Sequence, residues 1–216
     1  MIDGIRIKVC GLTSLVDAEL ADKVGADYLG FILYPTSPRQ ITLQKYIAMS
    51  DRLPARKRVG VMVEPTAAEL AQAAAGAFDY FQIHFRHDLP LATIQGWAEI
   101  VGRKRLWLAP KLPPAVDVSP ALRALAKFFL LDTFRAEGFG GSGRTGDWGK
   151  FARHQKAHPE NFWILSGGLN PQNIGDALTQ SGARFVDVNS GVEVSPGVKD
   201  TAKLKQFVVN VHKARL

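Results

Sequence analysis

Two rhythms of apolar and polar positions alternate along this chain. Short apolar runs rich in Val, Ile, Leu and Phe are followed by stretches whose apolar residues recur at helical spacing. Ile5 to Cys10 is the first predicted strand and Ser14 to Val24 the first helix. Asp27 to Leu33 is the second strand, followed by a Pro-punctuated loop, Tyr34 to Gln40, and a helix from about Thr42. The third pair is Arg58 to Val63 with an Ala-rich helix, Thr66 to Ala75, capped by Thr66. Tyr80 to Phe85 and a weaker helix over Leu91 to Val101 form the fourth. Leu106 to Pro110 is the fifth strand, and the Pro-rich stretch to Pro120 leads into a short helix. Lys127 to Asp132 is the sixth strand, and Asp147 is placed to cap the helix that follows. Phe162 to Ser166 is the seventh, with Pro171 expected in the first turn of its helix. Phe185 to Val188 is the eighth, and Thr201 to His212 closes the chain.

Eight strand–helix units with connections this short predict an α/β fold, a parallel sheet closed into a (β/α)8 TIM barrel, as a single domain over residues 1–216. A doubly wound open sheet is the competing architecture. It needs fewer strands and usually places its glycine-rich loop after the first, where this chain has only Gly11-Leu12-Thr13. Strand alternation puts Arg6, Lys8 and Cys10 on one face of the first strand and Ile5, Ile7 and Val9 on the other. The apolar set should face the helices, so the polar set faces the barrel interior. Trp107 and Trp163, both on strands, are expected to fill the core or the barrel.

The loops after the last three strands add chemistry. GFGGSGRTGDW, Gly138 to Trp148, carries five glycines in eleven residues and follows an apolar run ending in Asp132. Such a loop packs no core of its own, but it can bring several backbone N–H groups close to an anion. Ser166-Gly167-Gly168 and Asn189-Ser190-Gly191 also end apolar runs. Barrel enzymes often hold phosphate at the loops after strands seven and eight. Gly141, Ser142, Gly143, Gly168, Ser190 and Gly191 are therefore the candidate phosphate-binding residues.

Composition narrows the classes. With 46% hydrophobic and 22% charged residues, the 216-residue chain reads as a globular protein able to bury a substantial core. Nothing approaches the unbroken apolar stretch of a membrane helix, so no membrane partner is expected. MIDGIRIKVC enters strand-like sequence at once, without the pattern of a signal peptide, and a single cysteine suits a reducing compartment; a cytoplasmic location is expected. One cysteine also excludes a Cys-rich zinc site, and no metal is expected. The formal charge of +7 invites a nucleic-acid reading. The densest clusters, Arg56-Lys57-Arg58 and Arg103-Lys104-Arg105, immediately precede strand-like runs, which places them on the N-terminal face of a barrel. No basic-aromatic motif accompanies them, so the surplus charge is assigned to solubility and to anionic substrates, with no nucleic-acid partner.

With these residues laid out, the chain resembles the phosphoribosylanthranilate isomerase family of tryptophan biosynthesis. The resemblance runs through KVCGLT (Lys8 to Thr13), SPR (Ser37 to Arg39), VGVMV (Val59 to Val63), QIH (Gln82 to His84) and LLDT (Leu130 to Thr133). It continues through GGSGRTGDW, SGGLNPQNI (Ser166 to Ile174), DVNSGVE (Asp187 to Glu193) and PGVKD (Pro196 to Asp200). No single motif decides, but their order and spacing are specific. The resemblance implies an Amadori rearrangement of a phosphorylated aminoaldose, N-(5-phosphoribosyl)anthranilate, to the 1-deoxyribulose 5-phosphate, without cofactor. It implies Cys10 as general base, Asp132 as general acid and Arg39 as partner of the anthranilate carboxylate, and a monomer or homodimer is expected. Three departures stand out: Phe85 in place of a usual glycine, Glu64-Pro65 in place of an asparagine, and Gly146 where phenylalanine is common. All three are expected on the rim or aryl side of the site.

The residues bear on these roles independently. A lone cysteine is usually a small buried hydrophobe, but Cys10 ends a strand and is followed by glycine. Lys8 lies one inward layer below, where its charge would favour the thiolate. Asp132 could be a turn or capping residue; at the C-terminal end of a barrel strand it reads as catalytic. His84 could line the pocket or be a satisfied interior histidine. Asp187 is expected to balance Lys8 across the neighbouring eighth and first strands. A phosphosugar epimerase of this fold would want a histidine and carboxylate cluster, and an indole-forming synthase several interior lysines, of which only Lys8 and Lys111 offer themselves. A non-catalytic phosphosugar-binding barrel belongs to another class, and Cys10 together with Asp132 weighs against it.

Overall fold

The computed structural model describes residues 1–133 and 146–214. Eight parallel strands close into one barrel in sequence order: β1 (Arg6–Val9), β2 (Tyr28–Ile32), β3 (Lys57–Val63), β4 (Tyr80–Arg86), β5 (Leu106–Lys111), β6 (Phe128–Leu131), β7 (Phe162–Leu165) and β8 (Phe185–Val188). Closure is made by β8 on β1, with Lys8 opposite Asp187 and Val9 opposite Val188. The helices are α1 (Leu15–Lys23), α2 (Leu43–Ser50), α3 (Ala67–Ala74), α4 (Leu91–Val101), α5 (Pro120–Leu125), α6 (Trp148–Ala157), α7 (Ile174–Ser181) and α8 (Thr201–Lys213). The expected order of elements holds throughout, and most boundaries move by one residue.

Local chemistry starts the helices where the sequence signals it. Thr66 forms a full capping box: its hydroxyl accepts from the Glu69 N–H, while the Glu69 carboxylate accepts from the Thr66 N–H. Asp147 accepts from the Lys150 N–H at 2.7 Å and so starts α6. The expectation for Pro171 is corrected, because α7 begins only at Ile174. The Asn170 side chain accepts from the N–H groups of Gln172 and Asn173, and Asn173 returns a bond to the Asn170 N–H. This reciprocal turn holds Pro171 outside the helix, a case of local side-chain bonds competing with helical ones. Also unforeseen is a short antiparallel pair, β9 (Glu193–Ser195) with β10 (Val198–Lys199), preceded by a 3-10 turn over Ser190–Val192.

Alternation sorts the side chains into two cores. Ile5, Ile7 and Val9 are buried between strands and helices, together with Phe85, Trp97, Phe129, Trp163 and Phe207. Inside the barrel, Tyr28, Trp107 and Phe185 pack with ring centroids 4.9–5.5 Å apart, and Tyr80 and Phe128 also pack on Trp107. This aromatic plug fills the barrel below the polar positions. Trp107 therefore fills the barrel and Trp163 the outer core, where its indole N–H donates to the His158 carbonyl. Gly30 makes room for the first polar layer. A Cβ there would stand 2.9 Å from Lys8 Cε and 3.0 Å from Cys10 Sγ.

The basic clusters stand at the strand entrances, as expected. Arg56 pairs with Asp22, Lys57 with Asp79, and Arg105 donates to the carbonyls of Phe78 and Asp79.

Candidate active site

A cavity of about 310 Å³ opens at the C-terminal ends of the strands. Its wall takes Cys10 from the end of β1, Gln82 and His84 from β4, Asp132 from the end of β6, and Asp187 and Asn189 around the end of β8. The loop after β2 brings Ser37, Pro38 and Arg39 over one side. Ser166, Gly167, Gly168 and Ser190 bring the loops after β7 and β8 over another. Residues more than a hundred positions apart thus meet because every strand of a parallel barrel ends on the same face.

Lys8 is not in this wall. It lies wholly buried behind it, with Nζ donating to Asp187 Oδ1 at 2.9 Å and its charge acting on the Cys10 thiol. The Lys8–Asp187 balance across β1 and β8 is as expected, whereas the expected lowering of the Cys10 pKa by Lys8 gives way to a rise. Burial pushes the thiol above its ordinary value; Lys8 opposes this, and Asp187 cancels part of what Lys8 supplies. The cation that favours thiolate is partly offset by its carboxylate neighbour.

Arg39 reaches the cavity with one edge of its guanidinium already occupied. Nε donates to both oxygens of Glu193 at 3.0 Å, and Nη2 donates to Oε2 at 2.8 Å. The same carboxylate accepts from Lys199 Nζ at 2.8 Å and from the Gly197 N–H at 3.2 Å. The sequence points to Arg39 but not to these partners, because β9 and β10 are too short to show a strand pattern. Their only signal is their place in DVNSGVE and PGVKD. Gly11 lets the groups converge: its φ is +72°, and a Cβ there would lie 2.5 Å from Asn189 Oδ1 and 3.0 Å from Arg39 Cδ.

His84 lines the cavity and pairs with Gln82, Nε2 to Nε2 at 2.8 Å. Burial, reinforced by the Lys8 charge, lowers its pKa to about 4, so the ring is neutral near pH 7. Gln82 Oε1 is buried with no hydrogen-bond partner among the described residues. Of the candidate phosphate ligands, Gly168 and Ser190 lie in the wall. The Gly168 carbonyl is tied down by the side-chain amides of Asn170 and Asn173, which fixes that peptide. Gly191 stands just beyond the wall, where a Cβ would lie 2.0 Å from the Leu169 carbonyl oxygen, so the two loops meet only through glycine. Gly141, Ser142 and Gly143 lie outside the described residues.

Residues 7–210 match the family model for N-(5'-phosphoribosyl)anthranilate isomerase. The chain belongs to that family. It is 35% identical over 210 residues to the N-(5'-phosphoribosyl)anthranilate isomerase of Zymomonas mobilis, covering 94% of this chain and 96% of the relative. Among solved structures, it superposes on phosphoribosyl anthranilate isomerase from Thermus thermophilus with a TM-score of 0.79 and 32% identity, over 97% of this chain and 99% of that one. A further isomerase structure was solved with reduced 1-(o-carboxyphenylamino)-1-deoxyribulose 5-phosphate bound. It matches at 30% identity and a TM-score of 0.72, over 97% of this chain and 98% of that one.

The three departures from the isomerase pattern sit elsewhere than expected. Phe85, next to inward-facing His84, faces the helices, is fully buried and packs edge-on against Trp97. Glu64, at φ +40°, accepts from the Arg86 N–H, and the Pro65 carbonyl accepts from the Trp97 indole. Neither is in the cavity wall. Gly146 lies behind Asp132, where a Cβ would stand 3.2 Å from the Ser166 carbonyl oxygen. His154 in α6 and His158, the residue that caps its C-terminal end, have the i, i+4 spacing of a helical metal pair. His154 instead spends its ring nitrogens on the Lys150 carbonyl and the Val118 N–H.

Proposed function

We propose that this barrel isomerises N-(5'-phosphoribosyl)anthranilate with Cys10 as base and Asp132 as acid. The carrying observation is that these two side chains, from the ends of β1 and β6, open on one cavity whose rim holds Arg39 on one side and Gly168 and Ser190 on another. Asp132 gives its proton to the ring oxygen as the C1'–O4' bond breaks, and the nitrogen lone pair forms the iminium. The Cys10 thiolate then removes the C2' proton, and the electron pair closes the enolamine, which tautomerises to the ketone. Electrons move only within the substrate, so no redox partner is consumed. Each positioned acid or base contributes about 10²–10⁴ in rate.

Arg39 holds the anthranilate carboxylate by the guanidinium edge not given to Glu193, since a planar guanidinium offers more than one pair of donors. Gly168 and Ser190 take the phosphate, where charge-assisted backbone bonds contribute roughly 1.5–3 kcal/mol each. A free, single cysteine, Cys10, suits a reducing cytoplasm as the compartment for this chemistry.

The test is turnover of freshly made phosphoribosylanthranilate, followed by loss of its fluorescence. Asp132→Asn keeps size and hydrogen bonding but has no carboxylic proton, so kcat should fall about 10²-fold or more. Near-wild-type turnover by folded Asp132→Asn would remove Asp132 from the chemistry.

A further inference from the structure

Arg39 is held by buried charges that have no part in the chemical steps themselves. Glu193 begins β9 and Lys199 ends β10, and their side chains are 4% and 0% exposed, against 20% for Arg39. Burying ions is costly unless each is paired and hydrogen-bonded. This cluster meets that condition. The Glu193 carboxylate takes the Arg39 fork, the Lys199 ammonium and the Gly197 N–H. Lys199 further donates to the backbone and side-chain oxygens of Asn189, itself in the cavity wall. The hairpin is in turn fixed to α1 and to the loop after β1: the Lys199 N–H donates to Asp17, and the Thr13 hydroxyl to the Gly197 carbonyl.

Two consequences follow. Held by Nε and Nη2, the guanidinium cannot rotate about its last bonds, so its remaining edge has one direction. The charge count is the second. Arg39 and Glu193 alone make a neutral pair, which draws an anion weakly. Lys199 leaves the three side chains Arg39, Glu193 and Lys199 with one net positive charge beside the cavity, without itself reaching the wall.

We propose that Glu193 and Lys199 are a positioning pair that aims Arg39 and sets the charge by which the site selects a carboxylate-bearing aryl amine. This rests on the assignment of Arg39 above. Glu193 governs direction, Lys199 governs charge, and neither touches the substrate.

The experiment measures binding of two probes: the reduced product analogue, 1-(o-carboxyphenylamino)-1-deoxyribulose 5-phosphate after reduction, and its phenylamino counterpart without the carboxylate. The ratio of their Kd values is the carboxylate preference. Lys199→Met should lower that ratio about tenfold, while the carboxylate-free probe keeps its affinity within about twofold. Glu193→Asp keeps every charge but draws the anchor back by one methylene, and should lower the ratio about fivefold. It carries the test alone if Lys199→Met does not fold. A purely structural role would weaken both probes equally and leave the ratio unchanged, which overturns the proposal. Arg39→Met is the control that separates the two levels. If it abolishes the preference while folded Glu193→Asp retains it, the pair does not position Arg39 and the Arg39 assignment stands. If Arg39→Met itself retains the preference, the assignment falls and the proposal with it.

Discussion

Cys10 can accept a proton only as thiolate, and its surroundings oppose that state. Burial raises its pKa, Lys8 lowers it, and Asp187 raises it again, in that order of weight. Because the rate follows the thiolate fraction, kcat/KM should climb with pH through a limb above the ordinary thiol value of about 8.5. Lys8→Met with Asp187→Asn removes both neighbours without stranding a charge. Lys8 is the stronger of the two influences, so the limb should move further to the alkaline side. The pH dependence of iodoacetamide alkylation, measured without substrate, gives the same pKa by a second route. A limb that moves toward acid in the double variant would contradict this account of the site.

At the scale of loops and helices, glycines decide which elements may approach. Gly167 follows β7 at φ +94°, and a Cβ there would meet Thr133 Oγ1 at 2.2 Å and Asp132 Oδ1 at 2.7 Å. Gly167→Ala must therefore displace the carboxylate. Its kcat should fall about tenfold or more, with a stability loss of about 1–3 kcal/mol. Gly96 is the opposite case, for it lies inside α4 with nothing within 4 Å of its Cβ position. Gly96→Ala should stabilise by about 0.5–1 kcal/mol and leave kcat unchanged. Urea unfolding and steady-state kinetics on the two variants check both. Equal stability in the pair would mean that the approach of β7 to Asp132 is loose.

Across the whole barrel, polar groups sit at the centre of a closed apolar shell, and their charges bear on stability. Breaking one half of the buried Lys8–Asp187 pair leaves the other charge uncompensated. Lys8→Met alone should therefore cost about 3–5 kcal/mol, and adding Asp187→Asn should recover most of it. Additive losses in urea unfolding would show the two groups to be independent. His84 supplies a pH dependence. Its folded pKa is about 4 against an ordinary 6.5, so the unfolded chain takes up the proton first as pH falls. The stability it contributes is complete above about pH 6.5 and declines down to about pH 4, by roughly 3 kcal/mol in all. His84→Gln should flatten that decline, and an unchanged slope would place the titration elsewhere.

The hydrophobic pattern alone determined the eight units, their order and the inward face of β1, because periodicity is a local property of the chain. Thr66 and Asp147 caused their helix starts for the same reason, each acting within three residues. Cys10, Asp132 and Gly168 could be picked out because each ends a strand or sits in a marked loop, whereas Arg39 was legible only through the family resemblance. What the sequence could not carry was the outcome of competition between distant charges. Whether Lys8 serves Cys10 or Asp187, which anion holds Arg39, and where the hairpin of β9 and β10 docks depend on distances across strand pairs and loops. Barrel closure sets those distances. Phe85 shows the same limit from the other side: its identity departs from the family pattern, but only the pleat of β4 turns it away from the cavity and against Trp97.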